Sequence, residues 1–107
     1  MSKLNDLARE IHRTAKEKGW WESRRSFPEQ IALMHSELSE ALEDWRDGKP
    51  AVNQQEDKPE GWAVELIDCI IRILDTCSYY GLDVEGLLQD KMRYNRTRPY
   101  RHGGKLA

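Results

Sequence analysis

Apolar positions recur along this chain with the 3.6-residue period of an α-helix in four separate segments, and no run shows the period of two that marks a half-buried strand. The first segment, about Leu4 to Lys18, carries a narrow apolar stripe of Leu4, Leu7, Ala8, Ile11 and Ala15 and stops at Gly19. A connector containing Trp20 and Trp21 leads to Pro28, which suits the first turn of a second helix reaching Asp47 and ending at Gly48. Ile31, Met34, Leu38, Leu42 and Trp45 form its core stripe, with Glu37, Glu40 and Asp44 as a second stripe beside it. The segment GKPAVNQQEDK is a polar loop, after which Pro59 opens a third helix that ends at Gly81. Asp83 is placed to cap a fourth, about Val84 to Arg96, and the tail from Thr97, with Pro and two Gly, is expected to be irregular. Four helices without repeats or a second region predict an all-α four-helix bundle, one domain over residues 1–107.

The third helix is the most unusual. Between 62 and 80, eleven positions from Trp62 to Cys77 are apolar and cover an arc of roughly 220° at 100° per residue. The remaining sector holds Glu65, Asp68, Arg72, Asp75 and Tyr79. An almost wholly apolar helix belongs inside a bundle, so its one polar stripe is expected to line an interior cleft. The apolar surface also exceeds what three short neighbours can cover, which predicts a homo-oligomer, dimer or tetramer.

Glu65-x-x-Asp68 in that stripe has a counterpart on the second helix, Glu37-x-x-Glu40. A spacing of three sets two carboxylates beside each other on one helix face. Two such helices side by side bring four together, which is costly without a cation between them. Hard oxygen donors suit Mg²⁺ or Mn²⁺, and Mg²⁺ commonly also holds substrate phosphates. A metal-dependent enzyme acting on a phosphorylated small molecule is the reading that follows. In a chain that is 34% charged, E-x-x-E also arises by chance on solvated faces; the apolar setting of the second pair is what favours a site.

Charge distribution agrees. Residues 29–90 hold 15 acidic and 4 basic residues, whereas 91–107 hold six basic and no acidic ones. An acidic middle can bind a divalent cation, and a basic end the phosphates attached to it. The fourth helix supports this: its inward face runs Val84, Leu87, Leu88 and continues at the same angle as Lys91, Asn95 and Arg98, polar groups that need a partner if buried. The alternative is a non-catalytic helical binding module using its basic C-terminal segment on nucleic acid; the acidic stripe repels nucleic acid, so none is expected as a partner. No run of 18 apolar residues predicts a membrane span, and the charged start lacks the apolar core of a signal peptide. Cys69 and Cys77, eight apart and so about 12 Å along one helix, cannot pair with each other and read as reduced residues of a cytoplasmic protein.

With these residues in place the chain resembles the MazG-like nucleoside triphosphate pyrophosphohydrolases, in the all-α NTP pyrophosphatase superfamily that includes dCTP pyrophosphatases and dimeric dUTPases. The resemblance spans nearly the whole chain: E-x-x-E is matched by Glu37 and Glu40, E-x-x-D by Glu65 and Asp68, and a downstream K-x-x-x-N-R by Lys91, Asn95 and Arg96. It implies Mg²⁺-dependent hydrolysis of the α–β phosphoanhydride of (deoxy)nucleoside triphosphates, giving a monophosphate and pyrophosphate. Glu37, Glu40, Glu65 and Asp68 would hold the metal, and Lys91 and Asn95, joined by Arg96 and Arg98, the phosphates. Glu40 is the carboxylate expected to accept the proton of the attacking water, with Glu37 and Lys91 beside it in catalysis. By spacing ahead of E-x-x-E, His12 and Trp21 match the base pocket of dCTP-preferring members. Trp45 answers a further aromatic at a different offset, and Arg72 stands where such members carry an aromatic four residues after the Asp. The match at His12 and Trp21 predicts a mild preference for pyrimidine deoxynucleotides such as dCTP.

Overall fold

The computed structural model describes residues 3–23, 25–55 and 57–106. It is all-α, with four long helices: α1 (Lys3–Glu17), α2 (Phe27–Arg46), α3 (Trp62–Tyr79) and α4 (Val84–Thr97). Capping follows the local chemistry. Ser26 Oγ accepts from Glu29 N at the start of α2, and Pro28 sits in its first turn. Asp83 accepts from Gly86 N at the start of α4, as its sequence position predicts. Asn5 of α1 adds a second tie, its Oδ1 accepting from the Val84 and Glu85 amides.

Three local expectations are corrected. The polar loop holds a short antiparallel hairpin, β1 (Asn53–Gln55) and β2 (Lys58–Glu60), with Asn53 opposite Glu60. β2 is exposed throughout and neither strand alternates apolar with polar residues, so no strand pattern announces the hairpin. Pro59 belongs to β2 opposite Gln54, and α3 starts at Trp62; a strand with no further neighbour tolerates a missing amide donor. Gly61, at φ 124°, makes the turn between them: a Cβ there would stand 2.2 Å from the Ala51 carbonyl oxygen, so no other residue fits. The basic tail is not wholly irregular, forming a single turn, α5 (Arg101–Gly104).

Helix α3 is central and packs on both α1 and α2, whereas α4 rests chiefly on α1. The buried apolar core is small: Ala8, Ala41, Cys69 and Leu74, joined by the polar Gln30, Glu37 and Thr76. Thr76 Oγ1 donates to the Arg72 carbonyl at 2.9 Å and lies 3.4 Å from Gln30 Oε1, so these polar groups satisfy each other between α2 and α3.

Helix α3 is not covered all round within one chain, in keeping with an apolar arc wider than three short neighbours can cover. Leu66, Ile67, Ile70, Ile71 and Ile73 are each 40–52% exposed. Nor does α4 turn an apolar face inward: Leu87 and Leu88 are exposed, and α4 buries none of its described side chains. The radius of gyration, 16.5 Å, exceeds the roughly 13 Å of a compact chain of this length. No described helix is long and apolar enough to cross a membrane.

Candidate metal and nucleotide site

The polar stripe of α3 faces α1 and α2 and is used along its whole length. At one end Glu65 and Asp68 meet Glu37 of α2, and carboxylate oxygens of the three lie within 4.8 Å of one another. Glu40, more exposed, joins through Glu65, whose hydrogen-bonding neighbours are Glu37 and Glu40. Two carboxylates share a hydrogen bond only if one keeps its proton. Accordingly the Glu65 pKa rises from 4.5 to about 7, through burial first, then those hydrogen bonds, then the charges of Glu40 and Asp68. Asp68 is raised as well, by burial and by Glu37, with Arg72 opposing. The E-x-x-E and E-x-x-D pairs thus come together as their spacing predicts. Every donor is a carboxylate oxygen and their mutual repulsion would be relieved by a cation, so the residues fit Mg²⁺ or Mn²⁺.

One turn further along α3, Arg72 Nε donates to Glu37 Oε1 at 2.8 Å. Asp75 follows, and it organises an aromatic group. Its Oδ1 accepts from His12 Nδ1 at 2.7 Å, and the Trp21 indole N–H donates to both carboxylate oxygens at 3.0 and 3.1 Å. Tyr79, the last member of the stripe, stacks on Trp21 with centroids 4.2 Å apart and planes 7° from parallel. His12 meets the Trp21 ring edge-on at 5.3 Å. With Nδ1 donating to a carboxylate, a neutral His12 ring has Nε2 left as an acceptor.

Between carboxylates and aromatics opens a cavity of about 560 Å³. Glu37, Asp68, Arg72 and Asp75 form its α2–α3 wall, and Leu7, Ile11 and Thr14 of α1, with Lys18 just past its end, also line it. Trp20, Trp21 and Arg25 of the connector also line it, with the Arg25 guanidinium 5.2 Å over the Trp20 ring. Trp20 is exposed and lines the cavity together with Trp21. His12 stands behind Trp21 and Asp75 and does not itself line the wall.

Other residues singled out by sequence lie elsewhere. Trp45 is 62% exposed, two turns or about 12 Å beyond Glu37 along α2, and does not line the cavity. Lys91, Asn95 and Arg96 are exposed on α4, and Arg98 is half-buried just past its end. Lys91 and Arg98 both lie over the Tyr94 ring, at 5.0 and 5.6 Å, and none of the four reaches the cavity of its own chain. Arg72, Asp75, Tyr79, Lys18 and Arg25 were not assigned roles from sequence. The first three share one 80° sector of α3 with Glu65 and Asp68, and that shared sector is the signal that could have found them.

Comparison of the chain with protein-family models, with curated proteins and with solved structures gave no match.

Proposed function

We propose that this chain is a MazG-like nucleoside triphosphate pyrophosphohydrolase that cleaves the α–β phosphoanhydride to release a monophosphate and pyrophosphate. The observation that carries the reading is the juxtaposition of the Glu37, Glu65 and Asp68 carboxylates, joined by Glu40 through Glu65, with a nucleotide-sized cavity lined by Trp20 and by Trp21, which Tyr79 backs by stacking. Glu37, Glu40, Glu65 and Asp68 would hold Mg²⁺. Bound there, the ion supplies neutralisation of phosphate charge and a lowered pKa for water. Glu40, the most exposed of the four, accepts the proton of the attacking water. The base stacks on the face of Trp21 opposite Tyr79, a contact worth about 1–3 kcal/mol. Asp75 fixes the plane of that indole and the tautomer of His12. Pyrimidine deoxynucleotides are the favoured substrates.

The same reading makes the protein a homo-oligomer, with a second copy covering the apolar surface of α3 and α4. Its support is the expanded single chain and the run of half-exposed leucines and isoleucines on a helix central to the fold. Lys91, Asn95, Arg96 and Arg98 then reach phosphates across the interface, since they do not face the cluster of their own chain. Incubation of the purified protein with a panel of NTPs and dNTPs, with and without Mg²⁺, followed by assay of pyrophosphate and monophosphate, tests the proposal. Release of orthophosphate instead of pyrophosphate, or no turnover of any triphosphate, would overturn it.

A further inference from the structure

A cluster of four carboxylates needs positive charge nearby, and this one already has some: Arg72. Its Nε donates to Glu37 Oε1 at 2.8 Å, and its charge opposes the upward push on Asp68. Glu37 is 8% exposed, so the partner held by Arg72 is a buried carboxylate rather than a surface one. Breaking such a pair without replacement is costly, because an uncompensated charge stays behind. Arg72 also lines the cavity, in company with Lys18 and Arg25. Only one of its five N–H donors is used in the contact with Glu37, and the fork that remains has the planar geometry that matches a phosphate.

We propose that Arg72 is the resident counter-ion of the cluster: it holds Glu37 when no divalent ion is bound, competes with that ion for the Glu37 carboxylate, and when displaced turns its guanidinium onto an anionic group in the cavity. The proposal rests on the reading of the cluster as a metal site. A divalent cation at Glu37 repels the guanidinium beside it, and an anion in the cavity draws the guanidinium away from Glu37. Each event favours the other, so ion and anion bind with positive coupling, and by linkage the coupling is the same in both directions. Arg72 therefore weakens binding of the free ion and strengthens binding of the anionic ligand.

These opposite signs separate the proposal from a purely structural ion pair. Mn²⁺ binding to the metal-free protein is measured by electron paramagnetic resonance titration for the wild type, Arg72→Gln and Arg72→Lys. Binding of a non-hydrolysable α,β-imido deoxynucleoside triphosphate is followed by tryptophan fluorescence at saturating Mn²⁺. Arg72→Gln should bind Mn²⁺ alone at least fivefold more tightly and the analogue about tenfold more weakly. Arg72→Lys, which keeps the charge without the fork, should shift Mn²⁺ affinity less than twofold and still weaken the analogue; it carries the test if the Gln variant does not fold. Unchanged or weaker Mn²⁺ binding by folded Arg72→Gln, or undiminished analogue binding by Arg72→Lys, overturns the role of Arg72 while leaving the metal site standing. Failure of the wild type to bind Mn²⁺ at all removes the metal-site reading, and this proposal with it.

Discussion

Replacing Glu65 by Gln probes the electrostatics of the cluster without emptying it, because an amide keeps the size and can still donate to Glu37 or Glu40. In the folded chain Glu65 holds its proton up to about pH 7, against 4.5 ordinarily, with burial the largest cause. A folded pKa above the unfolded one means that the native state binds the proton more tightly. The stability this contributes is complete below about pH 4.5 and is lost as pH rises through about 7. At about 1.4 kcal/mol per pH unit the interval would represent about 3 kcal/mol at full strength. Glu65 is only half-buried, however, and solvent screening reduces this to about 1 kcal/mol. For a domain of this size that corresponds to about 4–8 °C in Tm. The assay is differential scanning calorimetry in EDTA from pH 5 to pH 8 on wild type and Glu65→Gln. The wild type should lose about 4–8 °C more than the variant across this range, and the variant should match or exceed it at pH 8. Taking the difference between the two curves removes titrating groups remote from the cluster, and what is left belongs to Glu65 together with the Glu37, Glu40 and Asp68 carboxylates coupled to it. Parallel curves would refute the assignment of the shared proton to Glu65.

The remaining predictions concern activity and assembly. Glu40→Ala and Asp68→Ala should each lower Mg²⁺-dependent turnover at least 100-fold without lowering the Tm of the metal-free protein, since each removes repulsion; wild-type-like turnover in either would remove the site assignment. Trp21→Ala should raise KM about tenfold and flatten the preference among bases, whereas a change in Tm alone with preferences intact would make it a structural plug. Asp75→Asn should raise KM with little change in kcat, because it disturbs the His12–Trp21 arrangement and leaves the carboxylate cluster in place; a fall in kcat at constant KM would contradict this. Light scattering at micromolar concentration should give a dimer or tetramer that Ile70→Glu dissociates, and a wild-type monomer would count against the covered α3 face. If α4 serves a neighbouring chain, mixing inactive Glu40→Ala with inactive Lys91→Ala should restore part of the activity, and no recovery on subunit exchange would place Lys91 outside that role.

How much of this was legible in the sequence depends on which partner each residue meets. The helices and their ends follow from local signals: Pro28, Asp83 and the glycines after α1, α2 and α3 act within a few residues. The hairpin at 53–60 escaped because its strands are polar on both faces, so hydrophobic alternation, the usual mark of a strand, is missing. Along α3 the polar sector was visible as a pattern, but its division of labour was not. Periodicity says that Glu65, Asp68, Arg72, Asp75 and Tyr79 share a face; it does not say that Arg72 would meet Glu37 35 residues earlier or that Asp75 would meet His12 63 residues earlier. Those pairings depend on the axial register of α3 against α2 and α1, which is set by packing at Ala8, Ala41, Cys69 and Leu74.

The fourth helix shows where the same logic stops within a single chain. Its pattern of Val84, Leu87 and Leu88 followed by Lys91, Asn95 and Arg98 predicts one face in contact with something apolar and then something anionic. In the single chain Leu87 is 57% and Leu88 48% exposed, and Lys91 and Arg98 both lie over the Tyr94 ring, away from the cluster. The pattern itself is unchanged by this; what it lacks is a partner of the matching chemistry. The half-exposed isoleucines of α3 are an apolar surface, and the carboxylate cluster, with a phosphate-bearing ligand in place, is an anionic one. In the proposed assembly a second copy would offer both to α4, whereas solvent offers neither. Ile70→Glu and the Lys91 mixing experiment therefore interrogate one interface from its two sides. Loss of assembly in the first with recovery in the second would assign the helix-four stripe to the neighbouring subunit, and persistence of a stable, active monomer would refute it.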